Sequence, residues 1–273
     1  MGKFDGILIC TDLDGTLLRG DRTVSCENLD AIEYFKSEGG YFTFITGRMP
    51  YFAKKIYDLI RPNAPFGCIN GGGIYDPIAN RYIWAQTAPR EILELVEYID
   101  DRVPGIGIQV NTLETLYFCR ENDEMARFRR STGMPNIVCD YRDIDEPIGK
   151  IVFGDIREEN IIRVKELLDA HPKASYFDFI RSEKTLYEIL PRGISKGSVL
   201  PRLTRHLGLD MAKTVAVGDY NNDISMLRAA RVGVAVANAV DEVKVVADRV
   251  TVSNEEHAIA RIISEIENGE IEI

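Results

Sequence analysis

Residues 6–16 read GILICTDLDGT. Ile7 to Cys10 is a continuous apolar run that stops at Thr11, and two acids, Asp12 and Asp14, follow at once. An unbroken apolar run, as opposed to an alternating one, suits a strand buried on both faces, as in a parallel sheet covered by helices. Residues just past the carboxyl ends of such strands line the ligand crevice of an open α/β sheet. Asp12 and Asp14 are therefore both placed to reach that crevice as the chain leaves the sheet. Gly15 gives the turn backbone shapes closed to other residues. A solvated acidic turn is the plain alternative, and the buried strand directly before it argues against that.

Outward from this stretch, strands and helices alternate. Glu27 to Glu38 carries Leu29, Ile32 and Phe35 at helical spacing and is stopped by Gly39-Gly40. Tyr41 to Thr46 reads as a strand, Pro50 to Ile60 as a helix with its proline in the first turn, and Phe66 to Ile69 as a strand running into Asn70 and three glycines. The far end repeats the rhythm: a helix Lys196 to Leu207 closed by Gly208, a strand Thr214 to Val217, a helix Asn222 to Ala230, strands Val232 to Val236 and Val250 to Val252, and a helix Glu255 to Glu267. The expected fold is α/β, a Rossmann-like doubly wound parallel sheet. The middle differs, with two hairpins (Gly107 to Phe118 and Tyr176 to Leu190) set among helices at Pro89 to Arg102, Asn122 to Thr132 and Glu158 to Ala170, and a strand at Lys150 to Phe153. Paired hairpins with helices describe an α+β module. The expected division is a core of 1–83 with 190–273 and an inserted α+β domain of 84–189.

Composition narrows the function classes. The chain has 273 residues, 45% hydrophobic and 28% charged, which is enough to bury a sizeable core. No apolar run approaches the roughly 20 residues of a membrane span, and Ile7 to Cys10 is too short for a secretory signal. A cytoplasmic protein with no membrane partner is expected. The net charge of -10 disfavours a nucleic-acid partner, which calls for a basic face. Five cysteines without a C-x-x-C pair and three scattered histidines argue against a disulfide scaffold or a zinc site. Oligomeric state stays open.

Three further segments carry chemistry. Gly218-Asp219-Tyr220-Asn221-Asn222-Asp223 again puts carboxylates at a strand end, and carboxylate oxygens without His or Cys suit a hard cation such as Mg2+. Ile45-Thr46-Gly47-Arg48 offers a hydroxyl and open amides ahead of a helix, a cradle for an anion; a plain helix cap reads equally well. Lys196 opens a helix, where a cation opposes the helix dipole, and a functional lysine accounts for that better than a structural one. Arg48 reads equally as a surface or capping residue.

Taken together, these four segments resemble the haloacid dehalogenase superfamily, and the chain is similar over essentially its whole length to the Cof-type phosphatases with a large α/β cap of the C2B kind. Asn70-Gly71 and Ala237-Asn238-Ala239 resemble secondary signatures of that subfamily, while His257 stands where it often has glycine. The resemblance implies a phosphatase acting on a small phosphorylated metabolite, with Asp12 as nucleophile and Asp14 as general acid and base. It implies magnesium at Asp12, the Asp14 carbonyl and Asp219, with Asp223 completing the site. Thr46, the Gly47 amide, Lys196 and Asn222 would bind the phosphoryl group. The cap would set specificity, with 111–115 and 181–184 as candidate contacts. A phosphosugar mutase would use the same Asp12, and a non-catalytic metabolite-binding protein would keep the same scaffold.

Overall fold

The computed structural model describes residues 2–133 and 135–273. In chain order the strands and helices are β1 (Leu8–Thr11), α1 (Cys26–Ser37), β2 (Tyr41–Phe44), α2 (Pro50–Ile60), β3 (Phe66–Cys68), β4 (Gly73–Asp76) and β5 (Arg81–Ala85). Next come α3 (Ile92–Arg102), β6 (Gly107–Thr112), β7 (Leu116–Arg120), α4 (Asp123–Thr132), β8 (Ile148–Gly154), α5 (Glu158–Asp169), β9 (Phe177–Glu183) and β10 (Leu186–Pro191). The chain closes with α6 (Lys196–Leu207), β11 (Thr214–Gly218), α7 (Ile224–Ala229), β12 (Val232–Ala235), α8 (Asp241–Val246), β13 (Arg249–Val250) and α9 (Ala258–Glu267).

The chain divides into two compact units, Met1–Trp84 with Ser195–Ile273, and Ala85–Ile194. The second unit ends five residues beyond 189, because β10 runs on to Pro191 before the chain turns away.

The first unit holds a parallel sheet in the order β13-β12-β11-β1-β2. β1 is buried at every residue, as its unbroken apolar run predicts. Its neighbours are β2, the next strand along the chain, and β11, about two hundred residues away. The winding direction reverses between β1 and β11, and crevices for ligands open at such switch points. A three-stranded sheet β3-β4-β5 adjoins this one through a bridge between Ile45 and Gly67. The β4–β5 hairpin is an addition to the sequence expectation, in which the strand Phe66 to Ile69 runs only into Asn70 and three glycines. Gly73 opens β4 opposite Cys68, and glycine is needed there because a Cβ would lie 2.6 Å from the Tyr82 ring.

The second unit is an antiparallel five-stranded sheet, β7-β6-β8-β10-β9. Alternate residues face one core: Ile108, Val110, Ile151, Phe153 and Ile189 pack with Ile92, Leu95 and Ile99 of α3 and Ile161 and Val164 of α5. The intervening residues of the central strands put Gln109, Asn111, Lys150 and Glu188 on the other side of the pleat, also buried. Lys150 Nζ donates to Glu188 Oε2 at 2.8 Å, and Gln109 Nε2 to Asn111 Oδ1 at 2.9 Å. Phe177 and Phe179 join the core, whereas Tyr176 is exposed because it ends a tight turn before β9. Among the described residues no helix is long and apolar enough to cross a membrane.

Candidate active site

The site grows from the pairing of β1 with β11. Asp12 donates its N–H to the Val217 carbonyl at 2.9 Å, so the loops after the two strands leave the sheet side by side. The first loop turns at Gly15, φ +81°, where a Cβ would lie 2.5 Å from Asp219 Oδ2. Glycine thus serves twice, for the turn and for the close approach of the second loop. Asn238 ties the first loop down by donating to the Gly15 carbonyl at 2.8 Å, and Asn254 does the same at the Leu18 carbonyl.

Lys196 sits in the first turn of α6, behind a cap in which Ser195 and Ser198 hydrogen-bond reciprocally. Its side chain is 1% exposed. The ammonium donates to Asp12 Oδ1 and to Asp223 Oδ1, both at 2.6 Å. Burial works against its charge, but the two carboxylates outweigh burial and hold its pKa above the usual lysine range. That pairing is why a cation is tolerated at a helix start.

Three carboxylates gather here, and each of Asp12, Asp219 and Asp223 presents an oxygen within 4.8 Å of the others. Burial pushes the Asp12 carboxyl well above the usual range; Lys196 opposes this, and Asp223, Asp219 and Asp14 reinforce it. Burial and then Asp223 push Asp219 up to about 7, against the hydrogen bond it accepts from Thr16 Oγ1 at 2.7 Å. One ammonium among three carboxylates, two of them buried and Asp219 half-buried, leaves negative charge without a counter-charge, which is costly away from water. An all-oxygen donor set with that surplus fits a hard divalent cation. Asp223 contributes least freely, because its Oδ2 also accepts the N–H groups of Asp219 and Tyr220 at 2.9 and 3.1 Å. It braces Lys196 and the loop at once.

Asp14 stands apart from this cluster. Its side chain is 52% exposed, and its two oxygens are gripped by Arg48, Nε to Oδ2 at 2.8 Å and Nη2 to Oδ1 at 2.5 Å. The two acids of the opening motif, expected together in the crevice, therefore have different environments, because one is drawn to the lysine and the other to the arginine. Neither spacing nor composition marks Arg48 for that contact.

Thr46 is buried at the end of β2, and its Oγ1 accepts the Arg48 N–H at 3.2 Å. Its own hydroxyl proton is thereby directed elsewhere. Next to it, Gly47 leaves room for Asn70, since a Cβ there would lie 3.0 Å from Asn70 Oδ1. The same oxygen accepts from Asn222 Nδ2 at 3.1 Å, so Asn222 reaches the loop after β3. Ile69, Asn70 and Gly71 all have positive φ, at 54°, 52° and 99°. A β-branched residue in that region is strained. The bend is pinned by Ile69 and Asn70, whose N–H groups donate to the carbonyls of Arg48 and Thr46 at 3.0 and 3.1 Å. Asn70 thus joins the residues that sequence spacing brought forward; an Asn-Gly pair, tolerant of left-handed backbone, was its signal. His257 also has left-handed backbone, φ 62° and ψ 47°, a shape that glycine adopts at no steric cost.

The arrangement offers a buried carboxylate with a lysine against it, a hydroxyl beside open amides, and a second, exposed carboxylate held by an arginine. That set suits transfer of a phosphoryl group. Residues 9–263 match the family described as haloacid dehalogenase-like hydrolase. The Bacillus subtilis protein named 5-amino-6-(5-phospho-D-ribitylamino)uracil phosphatase YitU is 27% identical over 94% of this chain and 96% of its own length. A solved haloacid dehalogenase-like hydrolase from B. subtilis superposes with a TM-score of 0.81 at 26% identity, over 94% of this chain and 98% of that one. The structure titled as the subclass IIB sugar phosphatase BT4131 has the same fold, with a TM-score of 0.83 at 22% identity over 97% of this chain and 100% of that one.

Proposed function

The chain belongs to the haloacid dehalogenase-like hydrolases, Cof-type, and is a phosphatase; from that premise we propose that it hydrolyses small phosphomonoesters, sugar phosphates or similar metabolites, through a phosphorylated Asp12 with magnesium as cofactor. The observation that carries this is Lys196 bridging Asp12 and Asp223 beside Asp219.

Asp12 attacks phosphorus, so that one hard displacement becomes two easier ones. Lys196 holds Asp12 in place and offers positive charge to the phosphoryl oxygens. Thr46 donates its hydroxyl proton to the same group, with the Gly47 amide beside it. Asp14 gives a proton to the leaving alcohol and later takes one from water. Asp12, the Asp14 carbonyl and Asp219, with Asp223 behind them, would hold magnesium, which screens the repulsion between carboxylate and phosphate. Asn222, held by Asn70, keeps the loop after β3 in register with the loop after β11.

The test is phosphate release from a panel of sugar, polyol and nucleoside monophosphates, with magnesium and with EDTA, for wild type and Asp12→Asn. We expect release that needs magnesium and falls by at least about 10³-fold in the variant. An isomerised sugar phosphate in place of free phosphate would replace hydrolysis by a mutase reaction. A folded wild type that releases nothing from any ester would overturn the proposal.

A further inference from the structure

Among the described residues, the hydrogen bonds of Arg48 run to the site or to the helix that follows it. Its N–H donates to Thr46 Oγ1, its carbonyl accepts from the Ile69 N–H at 3.0 Å, and its Nη1 donates to the Phe52 carbonyl in the first turn of α2 at 3.4 Å. The remaining donors, Nε and Nη2, grip both oxygens of Asp14. The Arg48 side chain is only 20% exposed against 52% for Asp14. Exposed ion pairs with two mobile partners contribute little. Here one partner is fixed at its base and presents a planar fork, so the grip sets the direction of the carboxylate as well as its distance.

We propose that Arg48 is the positioning residue for proton transfer by Asp14, an inference that rests on the phosphatase function proposed above. In the first half-reaction an Asp12 oxygen bonds to phosphorus, the bond from phosphorus to the alcohol oxygen breaks, and the proton on Asp14 passes to that oxygen. In the second, water attacks phosphorus, gives its proton to Asp14, and the Asp12–phosphorus bond breaks. A protonated Asp14 still accepts from Arg48 through its carbonyl oxygen, so the grip survives the change of charge each step requires. Arg48 acts through the Asp14 carboxyl that it holds. It fixes where the Asp14 proton is delivered.

The consequence is a dependence on leaving group. An alkoxide needs the proton to depart, whereas p-nitrophenolate is stable without it. The quantity to compare is kcat/KM, which covers only the steps through departure of the alcohol. It would be measured on an alkyl phosphate and on p-nitrophenyl phosphate for wild type, Arg48→Lys, Arg48→Ala, Asp14→Asn and the double variant Arg48→Ala/Asp14→Asn. Well-placed general acids contribute about 10²- to 10⁴-fold, so Arg48→Ala should lose on the order of 10²-fold on the alkyl ester and under about 5-fold on the aryl ester. Arg48→Lys, which keeps charge but not the fork, should fall between wild type and Arg48→Ala. Adding Arg48→Ala to Asp14→Asn should cost nothing further on the alkyl ester. Equal losses on both esters, or losses that multiply in the double variant, would overturn the assignment. Should thermal melting show Arg48→Ala unfolded, the Arg48→Lys ratio between the two esters decides on the same criterion. A wild type inactive on every ester sinks the phosphatase function itself, an outcome distinct from wild-type activity with no leaving-group dependence.

Discussion

Gly71 shows how little space the site's backbone leaves. A Cβ on it would lie 2.0 Å from the Ser195 carbonyl oxygen, and its φ of +99° is unfavourable for any other residue. The obstacle is main chain and cannot rotate away. Gly71→Ala should therefore cost about 2–4 kcal/mol in urea melts, and phosphate release should fall with it, since Ser195 caps the helix that begins with Lys196. Unchanged stability would mean that the loop relaxes freely. Single residues also mark the limit of what the sequence discloses. Asp12, Thr46, Lys196, Asp219 and Asp223 were legible because each closes a strand or opens a helix, and those boundaries leave linear signals. The grip of Arg48 on Asp14 and the turn of Asn70 toward Gly47 were not, because a side chain's direction is set by neighbours brought in from other loops.

At the level of elements, the insert's sheet is readable from alternation alone, except for its buried polar residues. Lys150 and Glu188 face one another across β8 and β10 with side chains 6% and 3% exposed. Removing one member of such a pair takes the buried counter-charge from the other. Lys150→Met should destabilise the protein by about 3–5 kcal/mol, while Lys150→Met with Glu188→Met should recover most of that, as measured by urea unfolding. A single variant as stable as wild type would show that the pair contributes no net stability. The boundaries that sequence spacing missed have local causes. The last helix starts at Ala258 and not Glu255, because left-handed His257 separates it from the turn Asn254–Glu256. The helix Asp241–Val246 is too short to display a period, and β13 holds only Arg249 and Val250.

For the molecule as a whole, the surplus of buried carboxylate predicts how stability answers to pH and magnesium. Asp219 is raised to about 7, above the ordinary carboxylate value, and Asp12 shifts the same way. A raised carboxyl contributes stability that is complete below its unfolded pKa, near 4, and is lost as pH climbs through the folded value. Lys196, also raised, keeps its contribution throughout that window. Magnesium, which binds the ionised form, should raise the melting temperature more at pH 8 than at pH 5. Equal increments at the two pH values, or the same increments in Asp219→Asn, would count against a shared cation site.

The interrupted connectivity of the parallel sheet has a consequence for how the protein is made. Leu8 lies beside Thr214, and residues 85–194 are synthesised in between. At about 5–20 residues per second, a ribosome needs roughly 10–40 s to pass from Leu8 to Thr214. The insert has all its strands once Pro191 has emerged, yet β1 and β2, with Ile9, Phe42 and Phe44, still await β11. For that interval the nascent chain displays two strands that the finished fold buries, without the one that completes them. Codon changes that slow translation between 192 and 218 should therefore raise the fraction lost to aggregation or held by chaperones, without altering a single residue of the finished enzyme.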